Sequence, residues 1–89
     1  MATIEYVVSG IVQGVGYRYY TLKVANQLGV TGWVRNLPTG EVQVVASGDP
    51  GVLGQLEQCL LEGPRMSRVA RVTRAPAPEQ SFHEFSVRY

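Results

Sequence analysis

The feature that most constrains this chain is a change of period that occurs twice. A β-branched run, "TIEYVVSGIV", gives way at a glycine-rich turn to "YRYYTLKVANQLG", where apolar residues recur at steps of three and four. A second β-rich stretch, "EVQVVAS", gives way at "GDP" to a segment with Leu53, Leu56 and Leu60 on one stripe. Side chains return to one face every two residues in a strand and about every 3.6 in a helix. A helix with one apolar stripe must bury it against another element, so the chain must layer two helices on a sheet.

The other segments complete the order. A buried strand is expected over about residues 3–11, and the first helix should end at Gly29 as a left-handed C′ glycine. Its apolar line is Tyr17, Tyr20, Val24 and Leu28, with Thr21 and Ala25 beside it. "VTGWVRN" reads as a strand. "LPTGE" reads as a short hairpin, with Pro38 at the second position of a type I turn and Gly40 left-handed after it. Asp49 is placed to cap the second helix, Pro50 to open it, and Gly63-Pro64 to stop it. "VARVTRA" is a fourth strand, "PAPEQ" a loop and "FHEFSVRY" a closing strand. The order is β-α-β-β-α-β with an extra C-terminal strand, a split βαβ arrangement. With 89 residues and 45% hydrophobic content, residues 1–89 are expected to form a single domain.

That order predicts where a site would lie. A strand, a helix and a second strand form a right-handed crossover, so the two strands run parallel and end at the same sheet edge. One ends in "VQGVGYR" and the other in "GWVRN", which brings positions 18 and 36 together. Gly14 and Gly16 permit positive φ, and successive backbone N–H groups in such a turn form an anion-attracting nest. The helix start adds unpaired N–H groups and the positive end of its dipole. Arg18 adds a fork of donors suited to two phosphate oxygens. Asn36 offers an uncharged amide that can hold a water beside an anion. The pattern is a phosphate site, but neither a dinucleotide fingerprint, since residue 19 is tyrosine, nor a P-loop, since no Gly-Lys-Ser/Thr follows.

"GIVQGVGYR", followed by "LGVTGWVRNLPTGEVQVVASGD", resembles the acylphosphatase family. The resemblance extends through the helix after Arg18 and into "GPRMSRVARV"; it is strongest over residues 10–49 and weak beyond about residue 75. It implies an α+β, ferredoxin-like sandwich, two helices on one face of a mostly antiparallel sheet of four to five strands. It also implies hydrolysis of the carboxyl-phosphate bond of acyl phosphates with no metal and no cofactor. By that resemblance Arg18 binds the phosphoryl group and Asn36 orients the attacking water. The backbone of Gln13, Gly14, Val15, Gly16, Tyr17 and Arg18 forms the cradle. Tyr17 stands where phenylalanine is more usual, which adds a hydroxyl expected beside that cradle.

Two rival functions share the pattern: a phosphate or carbamoyl-phosphate binding module without turnover, and a single-stranded nucleic-acid binder. A chain ending at Tyr89 favours the free enzyme over an attached module. Eight basic and seven acidic residues leave a formal charge of +1, which offers no bulk attraction for nucleic acid or an anionic membrane. Arg65, Arg68, Arg71 and Arg74 recur every three residues, a spacing that alternates faces on a strand and so makes no single patch. Trp33 is expected to pack, Cys59 to be a part-buried structural thiol, and His83 to have no role. One cysteine permits no internal disulfide. No apolar run approaches ~18 residues. The chain is therefore expected to be a cytoplasmic monomer acting on a small-molecule acyl phosphate.

An acyl phosphate departs as a carboxylate whose conjugate acid has a pKa near ~4, so no general acid is needed. Arginine and asparagine do not titrate near neutrality, and the one histidine lies in the last segment. Turnover of benzoyl phosphate should accordingly stay flat between about pH 5 and 7 and survive chelators; a requirement for added Mg²⁺ contradicts this.

Overall fold

The computed structural model describes residues 1–89. The elements are β1 (Ala2–Ile11), α1 (Tyr17–Leu28), β2 (Thr31–Asn36), β3 (Val42–Gly48), α2 (Pro50–Glu62), β4 (Arg68–Pro76) and β5 (Phe85–Arg88). The strands form one sheet in the order β4-β1-β3-β2-β5. β3 lies between β1 and β2 and is antiparallel to both, so β1 and β2 run in one direction. β5 joins β2 in the only parallel pairing. The α+β, ferredoxin-like expectation holds, with two helices on a mixed five-stranded sheet.

Register assigns every residue to a face, because directly opposed residues share one. Tyr6, Val44, Val34 and Val87 form a continuous row across four strands. The Tyr6 hydroxyl donates to the Leu53 carbonyl of α2 at 3.1 Å, which marks that row as the helix side. Two residues on along β1, Val8, Val42 and Asn36 make the next helix-side row. Asn36 therefore faces the helix layer at the end of β2 where the chain leaves the sheet. The core gathers buried residues from the sheet and both helices, including Val8, Val34, Val44, Leu56 and Leu60. Each such side chain contributes ~1.5–3 kcal/mol through removal from water.

In α1 the most buried line is Tyr17, Thr21 and Ala25, with Tyr20, Val24 and Leu28 half-buried at its flanks. The expected stripe is thus turned by one position. Small side chains at 21 and 25 let the helix approach the sheet, and the larger ones fill the sides. Asp49 caps α2 as expected, accepting from the Gly51 N–H.

Three tyrosines tie the molecule to α2. Besides Tyr6, Tyr17 donates to the Leu60 carbonyl at 2.6 Å and Tyr20 to the Cys59 carbonyl at 2.8 Å. The helix partner of Leu60 would be the N–H of residue 64, which is proline and has none. Tyr17 supplies the missing donor. Burial pushes the Tyr6 hydroxyl up to about 12 and raises those of Tyr17 and Tyr20 as well.

The structure corrects two expectations. The closing strand begins at Phe85 and not at residue 82, because the chain must first cross from the β4 edge to the β5 edge. Residues 77–84 make that crossing along the ends of β1, β3 and β2. Ala77 and Gln80 donate to Thr3, Ser47 donates to the Gln80 carbonyl, and Gly32 donates to the Glu84 carbonyl. The arginine repeat does not simply alternate either. Ser9 opposes Arg71 while Gly10 opposes Val69, leaving Ala70 as an extra residue in β4. This bulge places Arg68 and Arg71 on the same open side. Arg74 opposes Tyr6 on the helix side and pairs with Glu57 of α2 at 3.3 Å.

Tyr17→Phe should cost about 1–2 kcal/mol by stranding the Leu60 carbonyl, read as a lower midpoint in urea. Tyrosines with raised folded-state pKa values contribute stability that is complete below the unfolded value. Stability should therefore begin to fall as pH rises past about 10 and go on falling through about 12, with thermal melts from pH 8 to 12 as the check.

Candidate active site

At the edge where β1 and β2 end, a cleft of about 200 Å³ is lined by Gly14, Gly16, Arg18 and Asn36, with Val12 and Tyr17 behind them. Positions 18 and 36 thus meet, as the parallel relation of β1 and β2 requires. Gly14 and Gly16 have φ of 74° and 80°. A Cβ at either would meet no atom within 4 Å, so backbone conformation and not space selects glycine there. Any other residue at φ near +75° costs about 1–2 kcal/mol.

Gly16 is also the N-cap of α1, and no side chain caps the helix. The first helical bond runs from the Tyr20 N–H to the Gly16 carbonyl. Earlier N–H groups of the first turn therefore have no helical acceptor. That turn contains no acidic residue to offset the positive end of the dipole. Arg18, half-buried, adds a full positive charge to it. The molecule's one ion pair, Arg74 with Glu57, lies elsewhere. Arg18 is held instead by neutral groups: its Nη1 donates to the Arg88 carbonyl at 3.4 Å, and its guanidinium lies 4.7 Å from the centre of the Tyr89 ring. Guanidinium, dipole and unpaired N–H groups all favour one kind of occupant, an anion.

Asn36 brings a different property. Its Oδ1 is buried and has no hydrogen-bond partner. An unpaired buried acceptor costs ~1–3 kcal/mol.

Gln13 and Val15 lie outside the lining of the cleft, though both were expected in its cradle. Val15 packs against the core. Gln13 sends its side chain the other way, and Nε2 donates to the carbonyls of Leu37 and Glu41 at 2.8 and 2.9 Å. One amide thus fastens the β1–α1 turn to the β2–β3 hairpin. Hydrogen bonds from Thr39 and Ser9 anchor that hairpin at Glu41 and hold its carboxyl below the usual range. The Tyr17 hydroxyl also departs from expectation: it points to α2 and not into the cradle.

Sequence reasoning gave no role to the last segment, yet Val87 and Tyr89 line the cleft. Parallel pairing of Arg35 with Arg88 aligns Asn36 and Tyr89 at the next step. The signal was the alternation Phe85, Val87, Tyr89, which a five-stranded sheet turns toward the helices. Trp33 lies on the opposite, open face, half-buried between the Arg88 and Arg35 guanidinium groups at 4.7 and 5.4 Å from its ring centre. No three His, Cys, Asp or Glu side chains gather as a metal set, and His83 is exposed in the crossing loop.

Two helices on one five-stranded sheet, with a cleft where β1 and β2 end, recur in proteins of known structure. The acylphosphatase family model matches residues 4–87, and the chain belongs to that family. The acylphosphatase of Pasteurella multocida is 48% identical over 86 residues, 96% of each chain. The crystal structure of acylphosphatase from Bacillus subtilis superposes with a TM-score of 0.96 at 30% identity over 100% of both chains. The structure of an acylphosphatase from Coxiella burnetii gives 0.94 at 38% identity, covering 98% of this chain and 92% of that one.

Gly16→Ala should lower stability by about 1–2 kcal/mol and weaken competitive inhibition by inorganic phosphate. Gln13→Ala should leave the fold intact by circular dichroism and weaken phosphate inhibition several-fold. Unchanged inhibition in both variants would show that neither the turn's conformation nor its anchor matters to anion binding.

Proposed function

We propose that this protein hydrolyses acyl phosphates at the cleft between α1 and the ends of β1 and β2. In this reading the phosphoryl group sits on the N–H groups of Gly14, Gly16 and the first turn of α1, with the Arg18 fork on two of its oxygens. Water held by Asn36 attacks phosphorus opposite the acyl oxygen. The oxygen–phosphorus bond breaks, its electron pair stays on the departing carboxylate, and the attacking water becomes part of inorganic phosphate after losing a proton to solvent.

The chemistry demands little more than that. Charge spreads over the equatorial phosphoryl oxygens in the transition state, so positioning and electrostatic stabilisation dominate. A cation and preorganised N–H groups meet that demand without reorganising. Asn36 contributes orientation and not basicity. The observation that carries the reading is the Asn36 carboxamide in the same cleft as an arginine that no carboxylate neutralises. One sheet and one continuous core support a single domain over residues 1–89. We take it to act as a monomer in the cytoplasm; no helix is long and apolar enough to cross a membrane.

Benzoyl phosphate hydrolysis by folded variants tests the assignment. Arg18→Ala should lower kcat/KM by about 10³-fold or more and abolish inhibition by phosphate. Asn36→Ala should lower kcat by about 10²-fold while phosphate inhibition stays near its original strength. Comparable turnover in both variants would remove the assignment.

A further inference from the structure

The five tyrosines divide into two groups. Tyr6, Tyr17 and Tyr20 each donate a hydroxyl hydrogen bond to a carbonyl of α2. Tyr19 and Tyr89 make no hydrogen bond through their hydroxyls and are 74% and 98% exposed. Their stability role is slight, since neither ring is removed from water. Both nevertheless line the same cleft as Arg18: Tyr19 from the first turn of α1 and Tyr89 from just beyond β5. Val87 adds an apolar floor beside Tyr89.

We infer that Tyr19 and Tyr89 form an acyl-recognition platform, selecting acyl phosphates with a planar, aromatic acyl group over small aliphatic ones. The inference rests on the acyl phosphate reading of this cleft and adds the part of the substrate that the phosphate cradle does not read. In an acyl phosphate the carbonyl carbon is one oxygen away from phosphorus, so the acyl group must emerge at the cleft mouth where these rings stand. Tyr89 presents one ring face to the Arg18 guanidinium, 4.7 Å from its centre. That stacking orients the ring while its other surface stays exposed to an incoming acyl group. A flat aromatic acyl group gains an offset or edge contact with such a ring, and an acetyl group is too small to gain as much. The cleft's size sets the upper limit. At about 200 Å³ it falls below the ~300–1,000 Å³ typical of sites for drug-sized ligands, enough for a phosphoryl group and one ring.

The contact is made to a part of the substrate that does not react, so it should be equal in the ground and transition states and appear in KM. The test compares benzoyl phosphate with acetyl phosphate for the wild type, Tyr19→Ser, Tyr89→Ser and the two Tyr→Phe variants, with Met66→Ser as a control. Met66 is 74% exposed and outside the cleft. The expected result is a wild-type preference for benzoyl phosphate in kcat/KM. Each serine variant should reduce the benzoyl-to-acetyl ratio about three- to tenfold through a higher KM for benzoyl phosphate. The phenylalanine variants, which keep the ring, should retain the ratio, and so should Met66→Ser. Turnover of both substrates with a ratio unchanged in both serine variants overturns the platform and leaves the hydrolase reading standing. A ratio that falls through kcat alone also overturns it. Absence of turnover of either substrate by the wild type overturns the hydrolase reading, and the platform with it.

Discussion

The position of β3 governs what this molecule can do. Because β3 is inserted between β1 and β2 and runs against both, those two strands share a direction and end at the same edge. The chain leaves β1 through the glycine turn into α1, and leaves β2 at Asn36. An arginine at the start of a helix and an asparagine eighteen residues later are therefore delivered to one cleft by hydrogen-bonded register. β5 then adds itself alongside β2 and brings Val87 and Tyr89 to the same place.

The cleft is unfavourable as it stands. It concentrates a guanidinium, the positive end of a helix and unpaired N–H groups, and it buries an unpaired carboxamide oxygen. A carboxylate near Arg18 would relieve the electrostatic strain and would also compete with the ligand. The structure supplies only a carbonyl and an aromatic ring, both neutral. Stability comes instead from elsewhere: from the core between sheet and helices, and from three tyrosine hydroxyls on α2. Local strain in the cleft and firm support behind it are what the proposed anion site requires of the fold.

Much of this was legible in the sequence because it depends on period and topology. The β-α-β-β-α-β order, the caps at Gly29 and Asp49, the hairpin turn and the meeting of Arg18 with Asn36 all follow from local pattern plus the crossover. What was not legible depends on where a side chain points once elements pack. The Tyr17 hydroxyl belongs to α2 because Pro64 leaves a carbonyl without a donor, a long-range consequence of a residue 47 positions away. Gln13 was read for its backbone, but its amide reaches the neighbouring hairpin. Arg68 and Arg71 share a side only because Ala70 bulges out of register opposite Gly10. Tyr89 was not placed in the cleft because the face of an aromatic at a strand's end is fixed only once the partner of its strand is known.

The central claim is that the cleft directs water at phosphorus. Hydrolysis of benzoyl phosphate by the wild-type protein in ¹⁸O-labelled water, with both products analysed by mass spectrometry, tests it most directly. The label should appear in inorganic phosphate and be absent from benzoate. Label in benzoate would mean attack at the carbonyl carbon, and would leave the pairing of Arg18 with Asn36 without the function assigned to it.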